Sequence, residues 1–532
     1  MLFRSDINLG GIIWNPVAFS GKFVSDNSTP HTISNFKIVA NTPYAGFFSK
    51  LSSATIKDIK FSDVTISNTS RNECIGVVVG YISGTTTISG VCVNNSAITA
   101  STKYAGLISG YIANAYASIE NCSALNSSIN ANILYSGGIS ARAGVNTTIN
   151  NCKTSSIALK GIDYVGGVVG MNAGVISNCN VAGQIQSVST STNVAYFGGL
   201  VGFNLDDSKL SKSIAHFEIA VLNNTAKESL IFYYVGGLVG YNKGSVSQCA
   251  VYSNQISGSN SSSATHIGGL VGYNNCGQIE YCFANIDTLG ETRANIYTSG
   301  IAGYNYGGAI NGCWVCIKNI NGYVVSGLVR VNSNKGTVDS CASVGATLDS
   351  RSTYKGVHTV GFVYDMVNGT VSNCLVKANL TGTYDSGWMA GIAGFMPYTN
   401  GTFGTITTSI ADISLGGKGA KYLELAEDGL MKKKRTTGTI SNCVISKDAL
   451  VDGVFISEYD NEFMFWGTAT PGSGSNYIVA TEAEMKNIET YLDTKKCNFD
   501  ITAGDLDSKW LITTDRVPQP RAITKAFTGA AG

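Results

Sequence analysis

Residues 236–249 read Gly-Gly-Leu-Val-Gly-Tyr-Asn-Lys-Gly-Ser-Val-Ser-Gln-Cys, and this block returns along the chain. Gly-Gly-Leu-Val-Gly occurs again at 198–202 and 268–272, with variants at 166–170, 299–303 and 390–394. Aligned on the second position, the anchors are Gly46, Gly76, Gly106, Gly138, Gly167, Gly199, Gly237, Gly269, Gly300, Gly327, Gly361 and Gly391, in steps of 27 to 38 residues. A second block follows most anchors and ends on a small or apolar rung. The thirteen rungs are Ile59, Val91, Cys122, Cys152, Cys179, Ser213, Cys249, Cys282, Cys313, Cys341, Cys374, Ser409 and Cys443. Self-similarity of this kind marks a repeat architecture.

The content of each unit excludes a helical solenoid. Gly, Asn, Ser, Thr and β-branched residues are poor helix formers. The apolar runs span four or five residues between turn residues, which is the pattern of strands. Two or three short strands per unit predict an all-β chain, a right-handed parallel β-helix of about thirteen coils. The hand follows from the general preference of parallel crossovers. Coils stacked at about 4.8 Å make a rod of roughly 60 Å. A β-propeller blade needs about 40–50 residues, more than the period here.

Parity locates a corner. Val246 and Cys249 are three apart, as are Ile119 and Cys122. Both members are apolar or small, yet in one straight strand they would face opposite sides. Asn121, Asn151, Asn178, Asn373 and Asn442 occupy the position just before the rung. Asn tolerates the left-handed conformation that a corner needs. The residue two after each rung, such as Ala124, Val181, Val251, Val315 and Val376, is mostly apolar and is expected to point inward.

The β-helix is assigned to residues 1–447, with an insertion near 416–437 that carries the basic run ending at Arg435. Residues 448–532 are expected to form a small α+β cap. There Thr481-Glu-Ala-Glu484 is a capping box, and Met485, Ile488 and Leu492 share one helical face. A cap of this kind covers strand edges that otherwise invite aggregation.

Composition narrows the function. Only 13% of the 532 residues are charged, against about 25% in ordinary domains. Lys and Arg number 36 and Asp and Glu 35, a net charge of +1. That balance argues against a nucleic-acid binder and against attraction to anionic membrane. No apolar run is long enough to span a bilayer, so no membrane insertion is expected. Met1 to Gly11 lacks a signal-peptide apolar region, which leaves another export route or a mature or truncated chain.

The 236–249 block resembles the GLUG repeat of bacterial surface proteins, as do residues 268–282 with Gly-Gly-Leu-Val-Gly-Tyr-Asn and Ile-Glu-Tyr-Cys. The opening is similar to the segment that precedes such arrays: Asp6-Ile-Asn-Leu, Trp14-Asn-Pro-Val, Phe19-Ser-Gly-Lys-Phe23 and His31 to Ile38. The tail resembles the segment that ends them, with Phe499-Asp-Ile, Trp510-Leu-Ile and Pro520-Arg521. The resemblance implies a bacterial, extracellular or cell-surface adhesin. Some members lie beside immunoglobulin A proteases, but this chain has no His-Glu-x-x-His, so metalloprotease activity is not implied.

The ladder Cys122, Cys152, Cys179, Cys249, Cys282, Cys313, Cys341, Cys374 and Cys443 is expected to be structural, a stack of small buried thiols in which most cysteines are reduced. Ser213 and Ser409 stand in for Cys in the same column. Cys313-Trp-Val-Cys316 is a lone C-x-x-C whose second Cys is expected to face outward, so no metal or cofactor is expected. Glu280 and Asp339, two coils apart with Asn311 between, are the best acidic pair for polysaccharide cleavage. Their separation of about 9.6 Å lies just beyond that of an inverting glycosidase pair. The residue after each rung is expected to face outward, and from the sixth rung it is apolar. Ile214, Phe283, Trp314, Leu375 and Ile410 then form a stripe suited to a partner or to self-association.

The resulting expectation is a non-enzymatic adhesin or stalk that binds a host or microbial surface glycan or matrix protein. A polysaccharide-cleaving or phage tailspike-like receptor-binding β-helix is the first alternative. A structural spacer of a longer surface protein is the second.

Overall fold

A computed structural model describes residues 2–422 apart from 27–29, 69–71, 131, 188–193, 223–231, 260–263, 292–294, 351–356, 383–387, 396–403, 408 and 417–419. Beyond them it describes 439–441, 444–446, 464–466, 478–480, 510–511 and 519–520. The chain is an all-β parallel solenoid of about 11 turns with a spacing near 31 residues, and its described residues contain no helix. It divides into two compact units, Met1–Ser263 and Ala264–Gly532.

One coil of the first unit shows how the repeat becomes structure. Phe232–Gly236 lies on the first face, Val239–Asn242 and Ser245–Ser247 on the second, and Ala250–Ser259 on the third. Each face stacks in parallel on the same face of the preceding coil. Thus Tyr196 pairs with Tyr234, Val201 with Val239, Leu210 with Val246 and Ile214 with Ala250. Side chains that point inward form one apolar core, including Val235, Leu238, Val246, Val251 and Ile256. The second unit repeats the arrangement, with Ile296–Ser299, Ala302–Tyr306, Ala309–Asn311 and Trp314–Asn321 as one coil.

Two of the corners are made differently. Between the second and third faces, the residue before the rung adopts a left-handed φ. Asn121, Asn151, Asn178 and Asn373 do so, with φ between 51° and 55°. Gln248, Tyr281 and Ser340 do so at 53–54° without Asn's tolerance, so the corner geometry is imposed by the stack. The corner expected at Asn442 lies outside the described residues. The residues two after the rung are buried as expected, among them Ala124, Val181, Val251, Val315 and Val376.

Between the first and second faces the chain passes through the Gly anchor, and here close approach rather than φ demands glycine. A Cβ on Gly300 would lie 2.0 Å from the Gly327 carbonyl oxygen of the next coil, and one on Gly327 would lie 2.1 Å from that of Gly361. The register also corrects the sequence alignment. Gly76 and Gly106 pair in line with Gly137, the first glycine of its pair, not with Gly138. The neighbouring pair Ala45 and Ile75 puts Gly46 in that same column.

The opening segment is itself part of the solenoid. Ile7–Ile13 stacks on His31–Ala40, which stacks on Ile59–Asn68. At the other end of the sequence, Met464–Trp466 pairs with Val444–Ser446 and Ile478–Ala480 pairs with Met464–Trp466, both in parallel. Third-face strands therefore continue past residue 448. Trp510–Leu511 and Gln519–Pro520 form an antiparallel pair. The helix expected from Thr481 lies outside the described residues, as does the basic run ending at Arg435.

Candidate functional site

The residues expected from the sequence divide between core and surface. The cysteines of the ladder from Cys122 to Cys374 are buried thiols outside any disulfide, and Cys443 lies outside the described residues. Each thiol leans on the carbonyl two residues back, at 3.3 Å for Cys122 to Glu120 and 3.1 Å for Cys374 to Ser372. Ser213 and Ser409 make the same contact at 2.8 Å, to Ser211 and Thr407. A small side chain that can donate to that carbonyl is what the position selects. Burial and neighbouring thiols push Cys313 and Cys341 well above the ordinary thiol range. Cys316 lies on the third-face strand with its side chain half-buried, while Cys313 is fully buried.

Glu280, Asn311 and Asp339 do stand in one column, paired in register. Asp339 is already engaged. Its Oδ1 accepts from Ser372 Oγ and Asn373 Nδ2, both at 2.7 Å, and its Oδ2 accepts from Ser340 Oγ at 2.9 Å. These donors belong to its own coil and the next, so the carboxylate braces the corner.

The expected outward stripe is corrected. In the first unit Ile214 is half-buried and its register neighbour Ala250 is buried. In the second unit Phe283 and Trp314 are half-buried, with rings 5.3 Å apart, while Ala342 and Leu375 are buried. The side chain of Ile410 lies outside the described residues. Ala342 pairs between Trp314 and Leu375, so larger neighbours above and below hide the smaller residue. The Trp314 indole N–H is buried and finds no acceptor among the described residues. Stacking thus consumes most of the surface that alternation alone assigns to solvent.

Two columns that the sequence reading passed over carry more. The first is internal. The Asn at the position of Asn242 in Gly240-Tyr-Asn242 is fully buried in coil after coil, also where Met, Phe or Val replaces the Tyr, as at Asn172, Asn204 and Asn332. In the first unit Asn172 Nδ2 donates to Asn204 Oδ1, and Asn204 Nδ2 to Asn242 Oδ1, each at 2.9 Å. In the second unit Asn274 donates to Asn305 and Asn305 to Asn332, again at 2.9 Å. Asn172, Asn242, Asn274 and Asn305 also donate to a backbone carbonyl in the turn that follows, as Asn305 does to Gly308 at 3.0 Å. Within each unit such a ladder gives buried amides partners on the neighbouring coils.

The second column is an aromatic strip on the first unit. The Tyr two residues before the first-column glycine recurs in Tyr44-Ala-Gly46, Tyr104-Ala-Gly106, Tyr135-Ser-Gly137, Tyr164-Val-Gly166, Tyr196-Phe-Gly198 and Tyr234-Val-Gly236. Register places Tyr104, Tyr135, Tyr164, Tyr196 and Tyr234 over one another on the first face, while Cys74 stands between Tyr44 and Tyr104. Tyr104 and Tyr135 stack at 4.6 Å, and Tyr135 and Tyr164 at 4.4 Å with planes 5° apart. Across the glycine corner runs a parallel column on the second face: Lys50, Tyr81, Tyr111, Arg142, Met171, Phe203 and Tyr241. The two columns meet edge to face, at 4.8 Å for Tyr104 and Tyr111 and 5.3 Å for Tyr196 and Phe203.

All of these rings are half-buried. Their faces are spent on one another, so the strip offers ring edges and phenol hydroxyls to solvent. Burial, followed by the charge of Tyr164, raises Tyr135 to about 12, and burial also lifts Tyr104 and Tyr164. The phenols are therefore neutral donors and acceptors at physiological pH. Arg142 lies over Tyr111 at 4.7 Å and donates from Nη1 to its hydroxyl at 2.5 Å.

The second unit carries a different aromatic cluster. Arg330 lies 4.1 Å from the Tyr297 ring and 5.1 Å from that of Tyr304, and donates to the Tyr304 hydroxyl. His266 stacks on Tyr297 at 5.0 Å, and burial, with Arg330 secondary, holds it well below the ordinary histidine range. Among the described residues no group of three or more His, Cys, Asp or Glu is arranged to hold a metal ion. A scan against family models, a search of curated proteins and a search of solved structures each find no match to the chain.

Proposed function

We propose that this protein is a non-enzymatic surface-contact protein, an adhesin or stalk of the GLUG-repeat type at the bacterial cell surface, that engages glycan or matrix-protein ligands along an extended solenoid face. The observation that carries the reading is the double aromatic column of the first unit. Its first-face column is unbroken from Tyr104 to Tyr234, half-buried and made of phenols. Ring edges and hydroxyls at regular spacing suit a polymeric ligand with many hydroxyls, while stacking keeps the rings rigid so that little side-chain entropy is lost on contact. The engaged carboxylate of Asp339 counts against polysaccharide cleavage at the best acidic pair. A glycan and matrix-protein array, with turnover monitored on the same ligands, tests the reading. Binding without turnover that Tyr135→Ser weakens agrees with it. Release of reducing ends, or binding indifferent to the strip, overturns it.

A further inference from the structure

The aromatic strip is not electrically uniform, and its cations sit at one end. Arg142, Lys103 and Lys50 each lie over a strip ring, at 4.7 Å from Tyr111, 5.3 Å from Tyr104 and 5.9 Å from Tyr81. None of the three forms an ion pair among the described residues, although the chain as a whole balances its charges. Two acids lie nearby. Glu73 is exposed, and Asp163 is buried, so it faces no ligand. Arg142 gives one Nη1 hydrogen to Tyr111, which leaves the rest of its planar fork for an acceptor outside the chain.

We propose that this end of the strip binds an acidic polysaccharide built of uronic acids. The proposal rests on the reading of the strip as a glycan-contact face and adds the class of glycan. Lys50, Tyr81, Tyr111 and Arg142 follow one another in register, so the first and last are three strand spacings apart, about 14 Å. An extended pyranose chain advances by about one strand spacing per sugar. A polymer laid along the column therefore meets the cations at intervals, with neutral tyrosine hydroxyls between them for the sugar hydroxyls. A guanidinium fork matches a carboxylate in two parallel hydrogen bonds. Single-stranded nucleic acid, the other common polyanion, needs open ring faces for its bases. Here those faces are spent within the stack, as in Tyr135 and Tyr164.

The test uses the full chain and immobilised polygalacturonate, with neutral dextran, dextran sulfate and oligo-dT as comparators, at low and high salt. Polygalacturonate is expected to bind tighter than all three. Arg142→Gln should weaken it roughly tenfold, and Arg142→Lys, which keeps the charge but not the fork, should weaken it less. The same variants must keep the wild-type melting transition. Lys209→Gln, an exposed cation on another strand, should leave binding as it is. If dextran binds in a Tyr135-dependent way and polygalacturonate binds no tighter, the uronate inference falls while the strip reading stands. If neither glycan binds through Tyr135, both fall. Tighter binding of dextran sulfate or oligo-dT overturns the inference, as does an Arg142→Gln variant that binds like wild type.

Discussion

Asn305 donates its side-chain amide to Asn332 Oδ1 at 2.9 Å, across two coils of the solenoid and out of reach of water. The same link recurs between Asn172 and Asn204 and between Asn204 and Asn242. These amides tie successive coils where the apolar core alone is indifferent to register, since a row of stacked Val and Ile residues packs nearly as well one coil out of step.

Replacing Asn204 by Ala breaks two of these links. Asn242 Nδ2 still donates to Gly244 O, but Asn242 Oδ1 loses the Asn204 amide and Asn172 Nδ2 keeps Gly174 O, at 3.3 Å. Loss of each buried hydrogen-bond partner costs about 1–3 kcal/mol. We expect Asn204→Ala to lower stability by about 2–4 kcal/mol on that basis. Hydrogen exchange should show the loss concentrated in the neighbouring coils, because stability in a stack is a sum of nearest-neighbour terms.

The thiol ladder makes a different prediction. Cys313→Ser should change the melting transition little, since Ser already holds two rungs with the same carbonyl contact. Cys313→Leu overfills the corner and should cost about 1–3 kcal/mol. In the native protein a thiol reagent at mild alkaline pH should modify Cys276, which is exposed, well before any rung. The raised values of Cys313 and Cys341 leave them protonated there. Unfolding should release the remaining thiols at once.

Gly300→Ala tests the close corner. Its new Cβ would meet the Gly327 carbonyl oxygen at 2.0 Å, with rigid backbone on both sides. Gly416→Ala, whose nearest neighbours are at 3.8 Å, is the control within the same unit. We expect the first to destabilise by about 1–3 kcal/mol or to block folding. The second should lie within about 0.5 kcal/mol of wild type. Equal effects in the denaturant midpoints would contradict the close-approach argument.

Much of this was legible. The period, the inward position of Val251 and its counterparts, and the left-handed corner at Asn121 all follow from residue type and parity. Sequence alone shifts the Gly anchor by one residue in the first coils, because Gly76-Val-Val-Val-Gly80 has a single leading glycine and only the strand register decides which of the later pair it matches. That slip hid the Tyr-x-Gly signal, which appears once the first glycine is the reference. The Asn ladder stood in the quoted motif but looks like a turn residue, and only in-register stacking turns it inward. The stripe from Ile214 to Ile410 failed for a related reason. Alternation says which way a side chain points, whereas its exposure depends on the neighbours stacked above and below it.

The tyrosine strip predicts a pH dependence. Tyr135 titrates at about 12 in the folded chain against 10.0 for a free phenol. A folded value above the unfolded one gives stability that is complete below pH 10 and is lost as pH rises toward 12. Phenolate absorbance should therefore lag in the native protein, and the denaturant midpoint should fall across that window. A native titration that coincides with the unfolded one would show that the strip is open to solvent.

The most direct test of the central claim is hydroxyl-radical footprinting of the full chain, with and without polygalacturonate or dextran. The account predicts reduced oxidation at Tyr104, Tyr135 and Tyr164 in the presence of glycan. Tyr116, exposed at 72% on the same unit, should be oxidised as before. Unchanged oxidation of the three strip tyrosines, or equal protection of Tyr116, would contradict it.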